Sequence, residues 1–230
     1  MAQRRRSSAL AAILVPLLLL VLVVVLVRGG GASAPTPAPS GAEGSALAAL
    51  AQLEVASAGS SRGYQRDRFG PAWADVDGNG CSTRDDVLRR DLSGVRTRAD
   101  GCVVLSGTLD DPYSDAVISF RRGEGTSAEV QIDHVVALSD AWRTGASSFS
   151  ATDLERFAND PRELLAVDGS LNSAKGDDDA SEWLPPRGSC AYVARQVAVK
   201  RVWRLWVTPA EHDAMARVLA GCPGEPLPFS

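Results

Sequence analysis

The sequence predicts an exported α+β domain with short strands that is stabilised by two disulfides. Three observations support this fold class. An apolar stretch follows a basic N-terminus, four cysteines lie beyond it, and short β-branched runs are interspersed with helices that begin at clear capping residues. The strands and helices do not alternate regularly, which excludes a repeating strand–helix–strand fold.

The N-terminus carries an export signal. Arg4 to Arg6 precede an uninterrupted apolar run of 19 residues from Ala9 to Val27. A basic start before an apolar run is typical of a signal peptide, and Ala32 to Ala34 resembles a cleavage site. The run is also long enough to remain as a membrane anchor. Both alternatives place the remainder of the chain outside the cytoplasm, as a secreted or membrane-anchored protein.

Composition divides the chain into four parts. Residues 1–34 form the signal peptide or anchor, and residues 35–62 form a linker rich in Gly, Ala, Ser and Pro with one possible short helix. Residues 63–224 form one folded domain and residues 225–230 a C-terminal tail. The whole chain has a net charge of −4, which becomes −8 without residues 1–34. Such a domain needs a local basic face to bind nucleic acid.

The four cysteines predict two disulfides, since an even number of cysteines outside the cytoplasm is typical of paired thiols. Three pairings are open. We favour Cys81–Cys102 and Cys190–Cys222, because each would link neighbouring elements. The spacing lacks a Cys-x-x-Cys pair, which disfavours a zinc site.

Capping residues and apolar periodicity then place the elements in order. Helices are predicted at Ala46–Ala56, from Ser82 or Thr83 to about Leu92, from Ser150 to Phe157, after Ser170, at Tyr192–Trp206, and after the Thr208 capping box. Strands are predicted at Cys102–Leu109, Asp115–Phe120, Glu129–Leu138 and Leu164–Val167.

Two adjacent polar residues, Asp133 and His134, interrupt the third strand pattern, and Asn172 and Lys175 follow the fourth strand. Phosphodiester hydrolysis requires an activated water, and a histidine can deprotonate water at neutral pH. Carboxylate and amide oxygens suit a hard divalent cation, and a lysine can meet phosphate charge. The order of these residues therefore indicates a metal-dependent nuclease.

These residues belong to a longer ordered set of motifs. The set comprises Tyr64, Arg66, Phe69-Gly70, Trp73, Gly80–Arg84, Ile132–Leu138, Ala141–Ala146, Phe157–Pro161, Leu164–Gly169, Asn172, Lys175–Asp177, Trp183–Pro185 and Cys190–Tyr192. It resembles the HNH endonucleases related to the C-terminal domain of GmrSD restriction enzymes, in their exported actinobacterial-type form. The resemblance covers nearly all of 64–222.

The resemblance implies a ββα-metal (His-Me finger, HNH-type) core with additional helices and short strands. It assigns His134 as general base, Asp133 and Asn172 as ligands of Mg²⁺ or Mn²⁺, and Lys175 as a phosphate contact. Glu163 stands where the family usually has an asparagine that orients the histidine. The implied substrate is nucleic acid, with DNA favoured over RNA, and no nucleotide cofactor is expected.

Further groups carry alternative interpretations. Asp75, Asp77, Asn79 and Asp86 match ligand positions of an EF-hand loop, but the sequence favours a structural turn beside Cys81 over a calcium site. The cations that could contact a nucleic-acid backbone are Arg84, Lys200, Arg201 and Arg204. Pairing with an acid on the helix face is the alternative for Arg84, and a solvated helix face is the alternative for the other three. The rival functions are a non-catalytic cell-surface binding module that keeps the fold and a calcium-stabilised envelope protein.

Overall fold

The computed structural model describes residues 41–229. Its α-helices are α1 (Ala46–Leu50), α2 (Thr83–Asp91), α3 (Leu138–Arg143), α4 (Ala151–Ala158), α5 (Gly169–Lys175), α6 (Ser189–Trp203) and α7 (Pro209–Ala220). Its strands are β1 (Leu92–Thr97), β2 (Val104–Asp110), β3 (Val117–Arg121), β4 (Val130–His134) and β5 (Leu164–Asp168). Short 3₁₀ helices lie at Arg66–Phe69 and Ala146–Ser148. The mixed α+β class is confirmed.

The strands form two antiparallel sheets. One has the order β1-β2-β3, and the other is the β4–β5 pair, in which Asp133 faces Leu165 and His134 faces Leu164. Strand β1 was not predicted, because its Ser93 and Gly94 have low β-propensity. It begins directly at the end of α2, and pairing with β2 stabilises it.

Three predicted helix starts are confirmed by their caps. Ser82 Oγ accepts a hydrogen bond from Asp85 N, Ser150 Oγ accepts one from Asp153 N, and Thr208 forms a complete capping box. Helix α5 differs from the prediction, because Asp168 rather than Ser170 caps it. Helix α6 ends at Trp203 and not at Trp206, because Arg204 adopts a left-handed conformation.

Residues on both sides of the span 63–224 pack against it. Helix α1 is largely buried and packs on α6 and α7, although its sequence is typical of a linker. At the other end, Leu227 is buried and its amide donates to Gly44 O, while Ala46 N donates to Glu225 O. The two ends of the described region therefore pair with each other and close the core.

Both favoured disulfides are confirmed, Cys81–Cys102 and Cys190–Cys222. The first joins the start of α2 to the residues before β2, and the second joins α6 to the end of α7. Within 41–229 there is no helix whose length and hydrophobicity would let it span a bilayer. The apolar run from Ala9 to Val27, with the rest of the predicted signal peptide or anchor, lies outside the described residues.

Candidate active site

Strand β4 directs its two adjacent polar residues to opposite faces, as strand geometry requires. Asp133 points towards α5, and its carboxylate contacts Lys175 of that helix and Tyr113 of the turn before β3. His134 points the other way, and its ring stacks beside Trp73 at a centroid distance of 6.2 Å. The candidate base and the candidate metal ligand therefore lie on different sides of the strand.

His134 is half-buried and lines a cavity of about 350 Å³ beside the segment 66–73. Its Nε2 lies 2.9 Å from Ala158 O. A carbonyl can only accept, so Nε2 carries the hydrogen and Nδ1 of the neutral ring keeps a lone pair. The pKa of His134 is lowered to about 3, mainly by burial. The hydrogen bond to Ala158 acts to raise it, and the charges of Arg66 and Lys175 contribute to the lowering. The imidazole is thus neutral and able to accept a proton.

Asp133 is the centre of a buried hydrogen-bond network. Tyr113 Oη donates to its Oδ2 over 2.5 Å, and Lys175 Nζ donates to its Oδ1 over 2.9 Å. Lys175 Nζ also donates to the backbone oxygen of His134 over 2.8 Å. Burial raises the pKa of Asp133, while Lys175 and Tyr113 act in the opposite direction. The network fixes the backbone of β4 directly beneath His134.

Asn172 lies one helical turn before Lys175 on α5, and its Nδ2 donates to Gln131 Oε1 over 2.9 Å. Gln131 and Asp133 lie on the same face of β4. The structure therefore brings Asp133, Asn172 and Lys175 together at the β4–α5 interface. The start of α5 lies close to the residues before β4, because a Cβ at Gly169 would lie 1.9 Å from the Ala128 oxygen.

Glu163 is fully buried, and its carboxylate accepts hydrogen bonds from Val136 N at 3.0 and 3.3 Å. Burial raises its pKa well above the ordinary value, whereas Lys175 acts to lower it. Among the described contacts, the partner of the His134 ring is Ala158 O and not Glu163. The hydrogen bond that the family's asparagine would make to the histidine ring is therefore made here with a backbone carbonyl.

Two lysines are placed differently from the prediction. Lys175 and Lys200 are both fully buried. Lys200 Nζ is within 3.0 Å of Asp140 and Glu211 carboxylate oxygens, so it belongs to an internal ion cluster and cannot contact a nucleic-acid backbone. Lys175 is likewise buried, so in this arrangement its ammonium group cannot contact the phosphate of a nucleic acid bound at the surface.

The arginines predicted to contact nucleic acid remain available to differing degrees. Arg201 and Arg204 are exposed at the end of α6. Arg84 is half-buried on α2, and its guanidinium lies 5.9 Å from the Phe120 ring centroid. None of these three lines the His134 cavity, whereas Arg66 does. Contact of these three arginines with a more distant part of a bound strand stays a prediction.

The calcium-type loop is closed by its own hydrogen bonds. Asp75 accepts from the amides of Gly78, Asn79 and Gly80, and the Gly80 bond is the main cause that lowers the Asp75 pKa. Asp77 also accepts from the Asn79 amide, over 3.1 Å. Calcium binding at Asp75, Asp77, Asn79 and Asp86 therefore stays a prediction.

Within 41–229, two groups of His, Cys, Asp or Glu bring ligand atoms close enough for a metal ion. The first contains Cys190 and Cys222, whose sulfurs are joined in a disulfide. The second consists of Asp140, Asp179 and Glu211, two of which are ion-paired to Lys200. Neither group includes Asp133 or His134.

Sequence reasoning missed several residues around the site. Ala158 contributes only a backbone oxygen, for which no sequence signal exists. Tyr113 lies in a turn before β3, far from the Asp133-His134 motif along the chain. Arg66 and Trp73 were noted only as part of the family resemblance, and an arginine before a Phe-Gly turn could have indicated a basic loop.

Comparison with known proteins assigns the chain to a family. A family model described as the C-terminal domain of GmrSD restriction endonucleases matches residues 82–218, a span that contains β4, β5 and α5. An uncharacterized secreted protein of Arthroderma benhamiae is 39% identical over 193 residues, which cover 82% of this chain and 90% of that protein. No solved structure matches. The chain belongs to the nuclease-related family of GmrSD restriction endonuclease C-terminal domains.

Proposed function

We propose that this chain is an exported HNH-type endonuclease that hydrolyses phosphodiester bonds in nucleic acid, DNA in preference to RNA. The family is nuclease-related, and the relative in Arthroderma benhamiae is described as secreted. Two disulfides agree with an oxidising environment outside the cytoplasm. Residues 1–34 would direct export, and the nuclease unit would extend from Ser45 to Leu227.

A ββα core is supported by the order of elements around the site. The β4–β5 pair is antiparallel, with α3 and α4 inserted between its strands, and α5 follows β5 directly. Helix α5 returns across β4 and places Asn172 beside Gln131 and Lys175 beside Asp133. Antiparallel strands joined to a helix in this way provide a rigid base for side chains at the end of β4. His134 is the last residue of that strand.

The observation that carries the proposal is the hydrogen bond from His134 Nε2 to Ala158 O. It fixes the tautomer so that Nδ1 can take a proton from water while the water oxygen bonds to phosphorus and the opposite P–O bond breaks. The low pKa makes this imidazole a weak base in the free protein. A bound phosphodiester anion would raise that pKa, so substrate binding would strengthen the base.

The leaving oxygen needs a proton or a nearby positive charge. The nuclease family generally uses a divalent metal, which supplies such a charge. The Asp133–Asn172 pair does not fit this ion as arranged. Both Asp133 oxygens accept hydrogen bonds, one of them from an ammonium group, and the carboxylate is only 4% exposed. A cation would have to displace Lys175, so we derive no step through a metal at this pair.

A nicking assay tests the proposal. Oxidised protein comprising residues 35–230 is incubated with supercoiled plasmid and with a single-stranded circle, in Mg²⁺, Mn²⁺ or EDTA. We expect cleavage that falls by about 100-fold or more in His134→Ala, because general-base catalysis contributes about that much. His212→Ala is the matched control, since His212 lies on α7 beside Asp213 and outside the cavity. Full activity of His134→Ala would exclude His134 as the base.

A second candidate is a non-catalytic binding module, and one observation favours it. An internal lysine takes the position at Asp133 that the family resemblance assigns to a cation. This candidate predicts no turnover of either substrate by folded, disulfide-bonded protein in any of the three solutions. It also predicts that Mn²⁺ has no measurable binding site on the protein.

A further inference from the structure

The wall of the His134 cavity opposite β4 is formed by the segment 66–73, which lies outside the span 82–218 matched by the family model. Phe69 anchors this segment in the apolar core. Gly70 has a φ of +78°, and a Cβ there would lie 2.9 Å from Glu155 Cγ. A glycine is therefore required for the segment to approach α4 and enclose the cavity.

The segment supplies a cation that has no internal partner. Arg66 is exposed and forms no salt bridge or side-chain hydrogen bond with any other residue of 41–229. It is close enough to Tyr64 and His134 for its charge to act on the pKa of both groups. Burial raises the pKa of Tyr64 and the Arg66 charge opposes that rise, whereas burial and the Arg66 charge both lower the pKa of His134. The lining also includes one carboxylate, Asp67, which is exposed. A guanidinium free to form two parallel hydrogen bonds is suited to phosphate.

Two further residues of the cavity lining are an aromatic residue and an asparagine with an unsatisfied buried polar atom. Trp73 is half-buried, and its ring lies nearly parallel to the His134 ring at 19°. Its φ of +63° is unusual for a large side chain, and such strain often marks functional positions. Asn159 is 1% exposed; its Nδ2 donates to Glu155 O, but its Oδ1 accepts no hydrogen bond. A buried acceptor without a partner is costly unless a ligand supplies a donor.

The size of the cavity limits its occupant. At about 350 Å³ it is at the lower end of small-molecule sites, with room for one nucleotide but not for a paired duplex. The chain is net acidic, so a long series of phosphate contacts is not its main source of affinity. One enclosed nucleotide, held by a single guanidinium and an aromatic face, fits both facts.

We propose that the Arg66–Trp73–Asn159 cavity binds one unpaired nucleotide next to the scissile bond, with its phosphate on Arg66 and its base against Trp73. The Asn159 Oδ1 then accepts a hydrogen bond from an N–H or O–H of that nucleotide. This inference rests on the proposed nuclease function and specifies its substrate as single-stranded nucleic acid or an unpaired site within a duplex.

Equilibrium binding tests the inference apart from catalysis. His134→Ala protein is titrated into fluorescein-labelled oligothymidylate, oligouridylate and a duplex of equal length, and anisotropy is recorded in EDTA. We expect each single strand to bind at least about tenfold more tightly than the duplex, as stacking on one aromatic side chain implies. The two single strands distinguish DNA from RNA. Equal affinity for duplex and single strand would overturn the inference.

Three substitutions added to His134→Ala locate the subsite. Arg66→Gln and Trp73→Ala should each weaken single-strand binding by about tenfold, and Arg66→Lys should lose less than Arg66→Gln, because it keeps the charge without the fork. Arg217→Gln is the control, since Arg217 is an exposed arginine on α7 outside the cavity. Unchanged affinity in Arg66→Gln, or an equal loss in Arg217→Gln, would contradict the assignment. If Trp73→Ala fails to fold, Trp73→Phe provides the test of the aromatic contact. Undiminished single-strand binding by both Arg66→Lys and Arg66→Gln would still reject the nucleotide subsite.

The two proposals fail differently in these experiments. If His134→Ala retains cleavage while Arg66→Gln weakens binding, the nucleotide subsite stands and the base assignment is wrong. If His134→Ala abolishes cleavage while single strands and duplex bind equally, the nuclease stands and the subsite does not exist.

Discussion

Two completely buried lysines, Lys175 and Lys200, form ion pairs in different parts of the molecule, but they balance different amounts of charge. Lys175 is bonded to one carboxylate, that of Asp133, and to the backbone oxygen of His134. Lys200 lies between two carboxylates, with Nζ 3.0 Å from Asp140 and 2.7 Å from Glu211. The first pair is neutral, while the second carries an excess negative charge when both of its carboxylates are ionised.

The difference in charge suggests that the two buried lysines have different roles. The Lys200 cluster joins α3, α6 and α7, and burial together with the neighbouring Asp140 and Asp179 raises the pKa of Glu211 to about 7, despite Lys200. The Lys175 pair lies beneath His134 and fixes the backbone that carries it. We infer that Lys200 serves mainly stability and that Lys175 also positions the candidate base.

Removing Lys200 should produce the largest effect on stability. Lys200→Met leaves two buried carboxylates without a cation, which costs about 3–5 kcal/mol in comparable cases. We expect this loss in the free energy of unfolding, measured by urea titration of oxidised protein at pH 7. Cleavage per folded molecule should stay at the wild-type level. A loss below about 1 kcal/mol would show that the cluster protonates and does not need the lysine.

Removing Lys175 should affect both stability and cleavage. Lys175→Met leaves Asp133 with Tyr113 as its remaining partner, so the free energy of unfolding should fall by about 3 kcal/mol. The rate of cleavage per folded molecule should also fall, by roughly tenfold to a hundredfold, because His134 loses a backbone anchor. Lys175→Arg should recover part of the rate. If Lys175→Met and Lys200→Met affect cleavage equally, the distinction between the two lysines is wrong.

The features that could be predicted from the sequence are those set by local patterns. Helix caps such as Ser82 and Ser150 are local hydrogen-bonding patterns, and they were predicted correctly. The two disulfides were also predicted, because the spacing favours neighbouring elements. The position of Asp133-His134 on a strand followed from β-branched neighbours, and the structure confirms β4 there.

The unpredicted features depend on contacts between distant segments. Lysines are rarely buried, so Lys175 and Lys200 are expected at the surface unless their carboxylate partners are known. Helix α1 has the composition of a linker and becomes part of the core only through α6 and α7. The Ala158 carbonyl that holds His134 has no side-chain signature. These features require the three-dimensional arrangement.

The pH dependence of stability should reveal the excess charge at Lys200. Glu211 has a pKa of about 7 when folded and an ordinary value of 4.5 when unfolded, so the folded state holds the additional proton between these values. Its contribution is present below pH 4.5 and is lost as pH rises through 7, about 3 kcal/mol in total. Glu211→Gln should reduce this decline, measured as unfolding free energy from pH 4.5 to 8. Glu163 and Asp133 also have raised pKa values, so some decline should remain. An unchanged slope in Glu211→Gln would place the proton elsewhere.

The smallest predicted effect concerns the second partner of Asp133. Tyr113→Phe removes the hydroxyl that donates to Oδ2 over 2.5 Å, and loss of a hydrogen bond to a charged group costs about 2 kcal/mol. Tyr192→Phe is the matched control, because its hydroxyl has two neutral partners. It accepts from the Gln196 amide and donates to Val135 O over 3.5 Å, and its loss should cost about 1 kcal/mol. Thermal unfolding of the two variants at pH 7 measures the difference. A Tyr113→Phe cost no larger than that of Tyr192→Phe would mean that Lys175 alone balances the Asp133 charge, and that the neutral pair beneath His134 needs no support from the tyrosine.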